Sequence, residues 1–388
     1  MQTLCQSPTD PGFVQNPYPF YAKARAIGPL VYWQDYTMPM ATTHAAVNMI
    51  LRDRRFGREP IAPPNVPPHL QAFYAVEAHS MLELEPPRHT RLRSLVLRAF
   101  TSRRIQALGP EIATLARDLA TALPSGTVDL LDAFCRPIPV IIIARLLGVP
   151  EAMAPDLLRW SNAMVQMYQA GRTRPQEQAA ATAAAEFSDF LRGYVEARRR
   201  DPRDDLITQL IAAEEAGEKL TTDELITTCI LLLNAGHEAT VHSLGNGIKL
   251  CLETGARPSG DGAPLVEEIL RYDPPLHLFS RTAYEPVTLW GHDFARGDQV
   301  GLLLASAGRD DTVYPSGDQF RPDRSDGPAN LAFGAGLHFC VGAPLARLEL
   351  QLALRVLFDT HPGLRLAAPP SYANIYHFHG LDRLLVRI

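Results

Sequence analysis

Apolar residues recur at three- and four-residue intervals along most of the chain, the period of helices that bury one face. The pattern is clear in "PPRHTRLRSLVLRAF", "EIATLARDLATAL", "AAATAAAEFSDFLRGYVEARRR" and "GAPLVEEILRY". Strand-like stretches are few: "GPLVYW", "PVTLWGHDFARGDQVGLLL" and the terminal "DRLLVRI". Prolines cluster in residues 58–73, "REPIAPPNVPPHLQAF", which predicts a long loop because proline removes a backbone donor. No repeat, low-complexity tract or linker interrupts the pattern. The expectation is one domain over residues 1–388, mainly helical with a minor sheet component.

The longest helical pattern begins at "LTTDEL", where Thr221 and Glu224 have the spacing of a capping box, and runs to about Glu253. At ~1.5 Å per residue it is a rod of roughly 50 Å. Its middle, "NAGHEAT" (Asn234 to Thr240), sets a glycine and two ionisable groups between the apolar flanks "CILLL" and "VHSL". Such flanks argue against a solvent-facing patch. A local distortion of a buried helix is expected there, and distortions of that kind mark functional sites.

Composition narrows the class. A chain of 388 residues buries a large core, and 46% hydrophobic with 20% charged residues is ordinary for a soluble globular protein. The net charge of -5 argues against nucleic-acid binding through bulk positive charge. Five scattered cysteines without a CxxC pair fit a reducing compartment with no disulfide framework and argue against a structural zinc site. The polar start "MQTLCQSPTDPGF" is unlike a signal peptide, and the apolar runs "VIIIARLLGV" and "CILLL" are too short to span a bilayer. A cytoplasmic monomer with no nucleic-acid or membrane partner is expected.

Candidate chemistry concentrates in "FGAGLHFCVG", Phe333 to Gly342, at the door of the helical "APLARLELQLALRVLF". A dinucleotide fingerprint fails because Phe339 stands at its third glycine. Three readings remain. Cys340 is a nucleophile activated at a helix N-terminus with His338 nearby, a buried structural thiol, or a thiolate metal ligand. Gly334, Gly336 and Gly342 would let a flat cofactor lie against the loop in the last case.

Phe333, Gly336, His338, Cys340 and Gly342 reproduce the pattern F-x-x-G-x-[HR]-x-C-x-G. With "APLARLE" behind it, the segment resembles the haem-ligand loop of the cytochrome P450 family. "PYPFYAKARAIGPLVYW", "EPPRHTRLRSLV", "NAGHEAT", "EEILRYDPP" and "FRPDR" are similar to further family stretches and occur in the family's order. The resemblance implies a triangular, mostly helical fold with haem b between the central helix and the cysteine helix. It implies Cys340 as the metal ligand. It also implies His89, Arg93, Arg281 and His338 as donors to the haem propionates, with Phe333, Gly342 and Ala235 against the cofactor. Glu268, Arg271 and Arg324 become a structural lock. Read alone, Glu268 and Arg271 are an ordinary surface pair three residues apart, and Arg93 is one more charge on a basic helix.

The implied reaction inserts one atom of O2 into an apolar, medium-sized substrate. No flavin or iron–sulfur segment is recognisable, so electrons are expected from a separate ferredoxin and ferredoxin reductase. Arg98, Arg103, Arg104 and Arg347 are the candidate docking patch for that acidic partner. Gly236, Glu238, Ala239 and Thr240 fall at the oxygen-activating stretch. Glu238 takes the acid position of the proton relay. The alcohol position is Ala239, where the family usually has Thr, and Thr240 lies about 100° further round the helix. The departure leaves open a substrate hydroxyl, an ordered water, or haem-thiolate chemistry of peroxygenase or nitric oxide reductase type. From other classes stand a Cys/His hydrolase and a non-catalytic haem-binding protein. Leu233, Leu276, Leu278, Phe279 and Phe378 are expected around the substrate, and His277, His377 and His379 near any polar group it carries. Trp160, Met164, Met167 and Tyr168 share a helical stripe that reads as core.

Overall fold

Thr222–Thr254, 33 residues, form the longest helix. Its start is a reciprocal capping box: the Glu224 backbone N–H donates to Thr221 Oγ1 at 3.2 Å, and the Thr221 N–H donates to Glu224 Oε2 at 3.0 Å. The distortion expected at Asn234 to Thr240 is absent, and the helix is unbroken there. An interior glycine costs only about 1 kcal/mol. Packing outweighs it, with Gly236 facing Ile143 and the Asn234 amide reaching the Met164 sulfur at 3.7 Å.

The computed structural model describes residues 1–169, 171–215, 220–376 and 378–388, so His377 lies outside the described residues. They group into two units. One comprises Met1–Ile61, Gly109–Cys135 and Ala239–Ile388, and the other Ala62–Leu108 and Arg136–Glu238. The partition falls inside the long helix.

The second unit is helical, with no strand among its described residues. Its helices include Arg88–Ala99, Pro137–Leu147, Ala154–Val165 and Arg174–Arg200. Arg174–Arg200 starts on a Thr173–Gln176 capping box and buries Ala180, Ala184, Phe187, Leu191 and Val195, spaced by three and four. Trp160 stacks on Phe187 at 5.0 Å and donates to Glu186 at 2.7 Å. Trp160, Met164 and Met167 are core residues of this unit. The proline-rich loop is shorter than the sequence suggests. It ends at Pro67, because Pro68 opens a turn of 3-10 helix and Gln71–Glu77 continue as α-helix.

The first unit carries the sheets. Six strands run in the order Thr3–Leu4, Leu30–Trp33, Met38–Ala41, Gln299–Leu303, Leu278–Ala283, Phe56–Gly57. Leu278–Ala283 pairs antiparallel with Gln299–Leu303, setting Phe279 opposite Leu302 and Arg281 opposite Val300. The sequence reading missed this strand, because its "LFSRTA" lacks clean alternation. The helix Gly109–Thr121 packs on Ala343–Thr360, the helix that follows the cysteine loop. Among the described residues, no helix is long and apolar enough to cross a membrane.

Candidate active site

The cysteine loop is built by backbone geometry. Gly334 and Gly336 adopt φ of 69° and 70°, the left-handed region where a side chain is strained. A Cβ on Gly336 would also meet the Leu51 carbonyl oxygen at 2.4 Å, so this position accepts only glycine. The turn Gly336–His338 follows, and the Cys340 N–H donates to the Phe333 carbonyl at 3.0 Å, closing the loop. Cys340 thereby stands exposed three residues before the helix Ala343–Thr360. Cys135, Cys229 and Cys251 are buried. Burial pushes the thiols of Cys229 and Cys251 up to about 12 and raises that of Cys135, so all three stay neutral and inert.

The structure brings Glu268, Arg271 and Arg324 together. The Glu268 carboxylate accepts from Arg271 Nε at 2.7 Å and Nη2 at 2.6 Å, from Arg324 Nε at 3.2 Å, and from the Arg321 backbone N–H at 2.7 Å. Arg271 donates further to the carbonyls of Gly308, Gly317 and Gln319 at 2.6, 2.7 and 3.0 Å. All three side chains are at most 4% exposed. The segment 315–326, which has no regular structure, is thus pinned by one ion cluster.

Along the long helix, Leu231, Ala235, Glu238 and Ala239 form one accessible stripe at i, i+4, i+7 and i+8. Gly236 flanks it. Leu233, Asn234, His237 and Thr240 are buried on the other faces. Leu233 is fully buried and turned about 160° from Ala235, so it does not belong with the accessible stripe. Thr240 is 4% exposed and faces away from Ala239's side. Glu238 Oε1 stands 3.8 Å from His237 Nδ1.

In the first unit Arg281 is 3% exposed and His338 is half-buried. In the second unit His89 is buried and Arg93 half-buried on Arg88–Ala99. That helix is tied to the long helix by Arg91, whose guanidinium donates to both oxygens of Glu224 at 3.0 and 2.5 Å. Glu224 therefore caps one helix and anchors another. The sequence reading found the cap and missed the anchor, which nothing local announces. Leu276 and Phe378 are joined by a backbone bridge, and both are half-buried. The Phe279 ring approaches Gly334 of the cysteine loop. Leu278 packs instead with the core around Tyr21, Trp33 and Met40. His277 and His379 are not loop-surface groups; both are buried. Arg104 is paired with Asp204 at 2.7 Å and Arg347 with Glu267, so neither is a bare surface charge.

Within the first unit the residues present fit haem: an accessible thiol in a glycine-framed loop, a buried guanidinium at Arg281 and a half-buried imidazole at His338. The comparisons agree. The Cytochrome P450 family profile matches residues 14–254 and 264–360. The cytochrome P450 monooxygenase PikC of Streptomyces venezuelae is 36% identical over 97% of this chain and 92% of that protein. The biotin biosynthesis cytochrome P450 of Bacillus subtilis is 32% identical over 99% of both. Among solved structures, P450BioI in complex with hexadec-9Z-enoic acid ligated acyl carrier protein superposes with a TM-score of 0.91 at 31% identity, covering 97% of this chain and 99% of that one. Mycobacterium smegmatis CYP164A2 gives 0.87 at 35% identity, covering 98% of both chains. With a cysteine loop of this form and likeness over nearly its whole length, the chain belongs to the cytochrome P450 family and is a haem-dependent monooxygenase of that family.

Proposed function

We propose that Cys340 is the axial thiolate of haem b and that the enzyme oxygenates an apolar, medium-sized substrate with electrons from a separate ferredoxin and its reductase. The observation that carries this is the exposed Cys340 thiol, set by a closed glycine loop at the start of Ala343–Thr360 while three other cysteines are buried and neutral. When bound, the haem supplies dioxygen activation, which thiolate donation promotes. His89, Arg93, Arg281 and His338 hold its carboxylates, and Phe333, Gly342 and Ala235 pack against it. Arg98, Arg103, Arg104 and Arg347 are the cations that would meet an acidic partner, Arg98 and Arg103 being exposed. Residues 1–388 act as one catalytic domain in the cytoplasm.

Proton delivery falls to Glu238 on the accessible stripe. Ala239 offers a methyl group, which donates nothing, and the Thr240 hydroxyl faces the buried side. The final donor is therefore a hydroxyl of the substrate or a water it holds in place. The stripe Leu231, Ala235, Ala239 with Leu276, Phe279 and Phe378 favours an apolar body on that substrate. Relatives support the class: solved complexes include one with testosterone and one with myristic acid. Ala239 also favours a second reading, peroxide-driven or nitric-oxide-type haem-thiolate chemistry.

Two measurements test these readings. The reduced carbon monoxide complex should show the red-shifted band of thiolate ligation and lose it in Cys340→Ser; a Cys340→Ser protein that keeps the band sinks the assignment. For a substrate found by its shift of the haem band, product per reduced nicotinamide should be high. It should fall for an analogue lacking the polar group, and Ala239→Thr should restore it for the analogue alone. Equal coupling of both compounds in the parent refutes substrate-assisted proton delivery. Turnover with hydrogen peroxide and none with ferredoxin selects the second reading.

A further inference from the structure

Inside the first unit, three ligating side chains meet. Asp273, His277 and His379 are 2%, 0% and 4% exposed. One oxygen or nitrogen of each lies within 4.8 Å of the other two. His379 Nε2 is 3.6 Å from Asp273 Oδ1, and the two imidazole centroids are 4.3 Å apart. Neither His277 Nε2 nor His379 Nε2 has a hydrogen-bond partner, although both are buried. An unsatisfied buried polar atom costs about 1–3 kcal/mol, and two on neighbouring rings of a cluster that includes a carboxylate call for an occupant.

The surroundings hold the group rigidly. The Phe378–Leu276 bridge and the His379 N–H donating to the Pro275 carbonyl at 2.7 Å bring the two histidine segments side by side. Asn246 on the long helix donates to the backbone carbonyls of Asp273 and His379 at 3.3 and 2.9 Å, clamping both. Tyr18 donates to Asp273 Oδ1 at 2.5 Å and Tyr372 donates to Oδ2, so the carboxylate is oriented from both sides. Tyr21 sits 2.9 Å from His277 Nδ1, and Tyr372 stacks on His379 at 3.8 Å, fixing both rings. These are the outer contacts that metal-binding histidines and carboxylates require.

We propose that Asp273, His277 and His379 are a binding site for a divalent transition metal of the zinc type, separate from the haem iron. Two nitrogens and one oxygen suit zinc, with a fourth position for water. A tetrahedral ion with bonds of about 2.0–2.1 Å needs ligand atoms about 3.3–3.4 Å apart, and the Asp273–His379 separation is already close to that. Two cations face the site and oppose an ion, yet each is matched. Lys249 lies 3.4 Å from Glu253 and 3.1 Å from the Tyr372 hydroxyl, and Arg309 is sandwiched between the rings of Tyr18 and Tyr272 at 3.2 and 3.6 Å. The bound ion fastens the Asp273–His277 turn to the Phe378–Gly380 turn, the two segments whose Leu276 and Phe378 bridge each other.

The test uses the haem-loaded protein without a histidine tag, stripped with EDTA, incubated with Zn2+ and passed through gel filtration. Element analysis should find a single zinc per chain. Zinc about 100-fold above its dissociation constant should raise the melting temperature by about 3 °C. His277→Gln and His379→Gln should each abolish retention while keeping haem and circular dichroism, and His292→Gln should retain it. A parent that binds no zinc and gains no thermal stability overturns the proposal and leaves a bridging water as the occupant. Zinc retained in both glutamine variants places it elsewhere and overturns it equally. Should those variants fail to fold, X-ray absorption at the zinc edge of the parent decides: two imidazoles and an oxygen support the site, and sulfur ligands refute it.

Discussion

Glu268→Gln is the substitution whose cost the structure defines most tightly. Two guanidinium groups, Arg271 and Arg324, share this one carboxylate in an interior where all three side chains are at most 4% exposed. Glutamine keeps the shape but removes the charge, and its amide nitrogen meets donors that have nothing to accept it. Breaking a buried pair by removing one partner costs about 3–5 kcal/mol. The pair Arg203–Asp201, 64% and 69% exposed, shows the contrast, since such pairs contribute about 0–1 kcal/mol. An unfolding entropy of about 2.1 cal/mol/K per residue over 388 residues gives about 0.8 kcal/mol per degree. The variant should therefore melt about 4–6 °C below the parent, and Asp201→Asn within about 1 °C of it. Arg271→Lys should resemble Glu268→Gln, because an ammonium cannot serve Glu268 and three carbonyls at once. Thermal unfolding followed by circular dichroism and by haem release measures both. A Glu268→Gln protein that melts with the parent would refute the claim that this carboxylate neutralises two buried cations.

Burial raises the Glu349 carboxyl from 4.5 to about 8 on the cysteine helix. Its neutral form is favoured by folding, so the associated stability is complete below about pH 4.5 and is lost as pH rises towards 8, at about 1.4 kcal/mol per unit. Glu349→Gln should flatten that decline, and melting temperatures of parent and variant across pH 5 to about 8 check it; parallel curves would show that Glu349 ionises normally. On the proposed propionate contacts, Arg281→Ala and Arg93→Ala should each speed haem loss to apomyoglobin, more so at the buried Arg281, where stranding a charge costs about 3–5 kcal/mol. Haem held as firmly in both as in the parent would remove these residues from the cofactor site.

What the sequence made legible was local. The long helix was readable from apolar spacing and from Thr221 and Glu224, both within one turn of its start. The cysteine loop was readable because its requirements, left-handed backbone at Gly334 and Gly336 and no Cβ at Gly336, are met by residue type within ten positions. Propensity misled where tertiary contacts decide. The glycine and polar residues of Asn234 to Thr240 suggested a distorted helix, yet neighbours such as Ile143 and Met164 keep it regular. Long-range groupings left no trace in local pattern, and the Glu268–Arg324 contact was anticipated only through the family resemblance. Arg91 and Glu224 are 133 residues apart, and His277 and His379 read as loop histidines until the Leu276–Phe378 bridge joined them.

The helix Ala263–Tyr272 shows how such distant contacts serve the cysteine. Glu267 and Glu268 are consecutive, so their side chains leave the helix about 100° apart. Glu268 points inward and holds Arg321 and Arg324, on the segment before the cysteine loop. Glu267 points outward, accepts from Asn330 at 2.8 Å and binds Arg347, on the helix after the loop. Arg347 in turn lies over the Phe333 ring at 4.6 Å. One helix therefore grips the chain on both sides of Phe333 to Gly342, with its strong, buried contact upstream and its weaker, half-exposed one downstream. The loop's own closure, by the Cys340 N–H to Phe333 carbonyl bond and the close approach of Gly336 to Leu51, is thus set between two anchors that fix the chain before and after it.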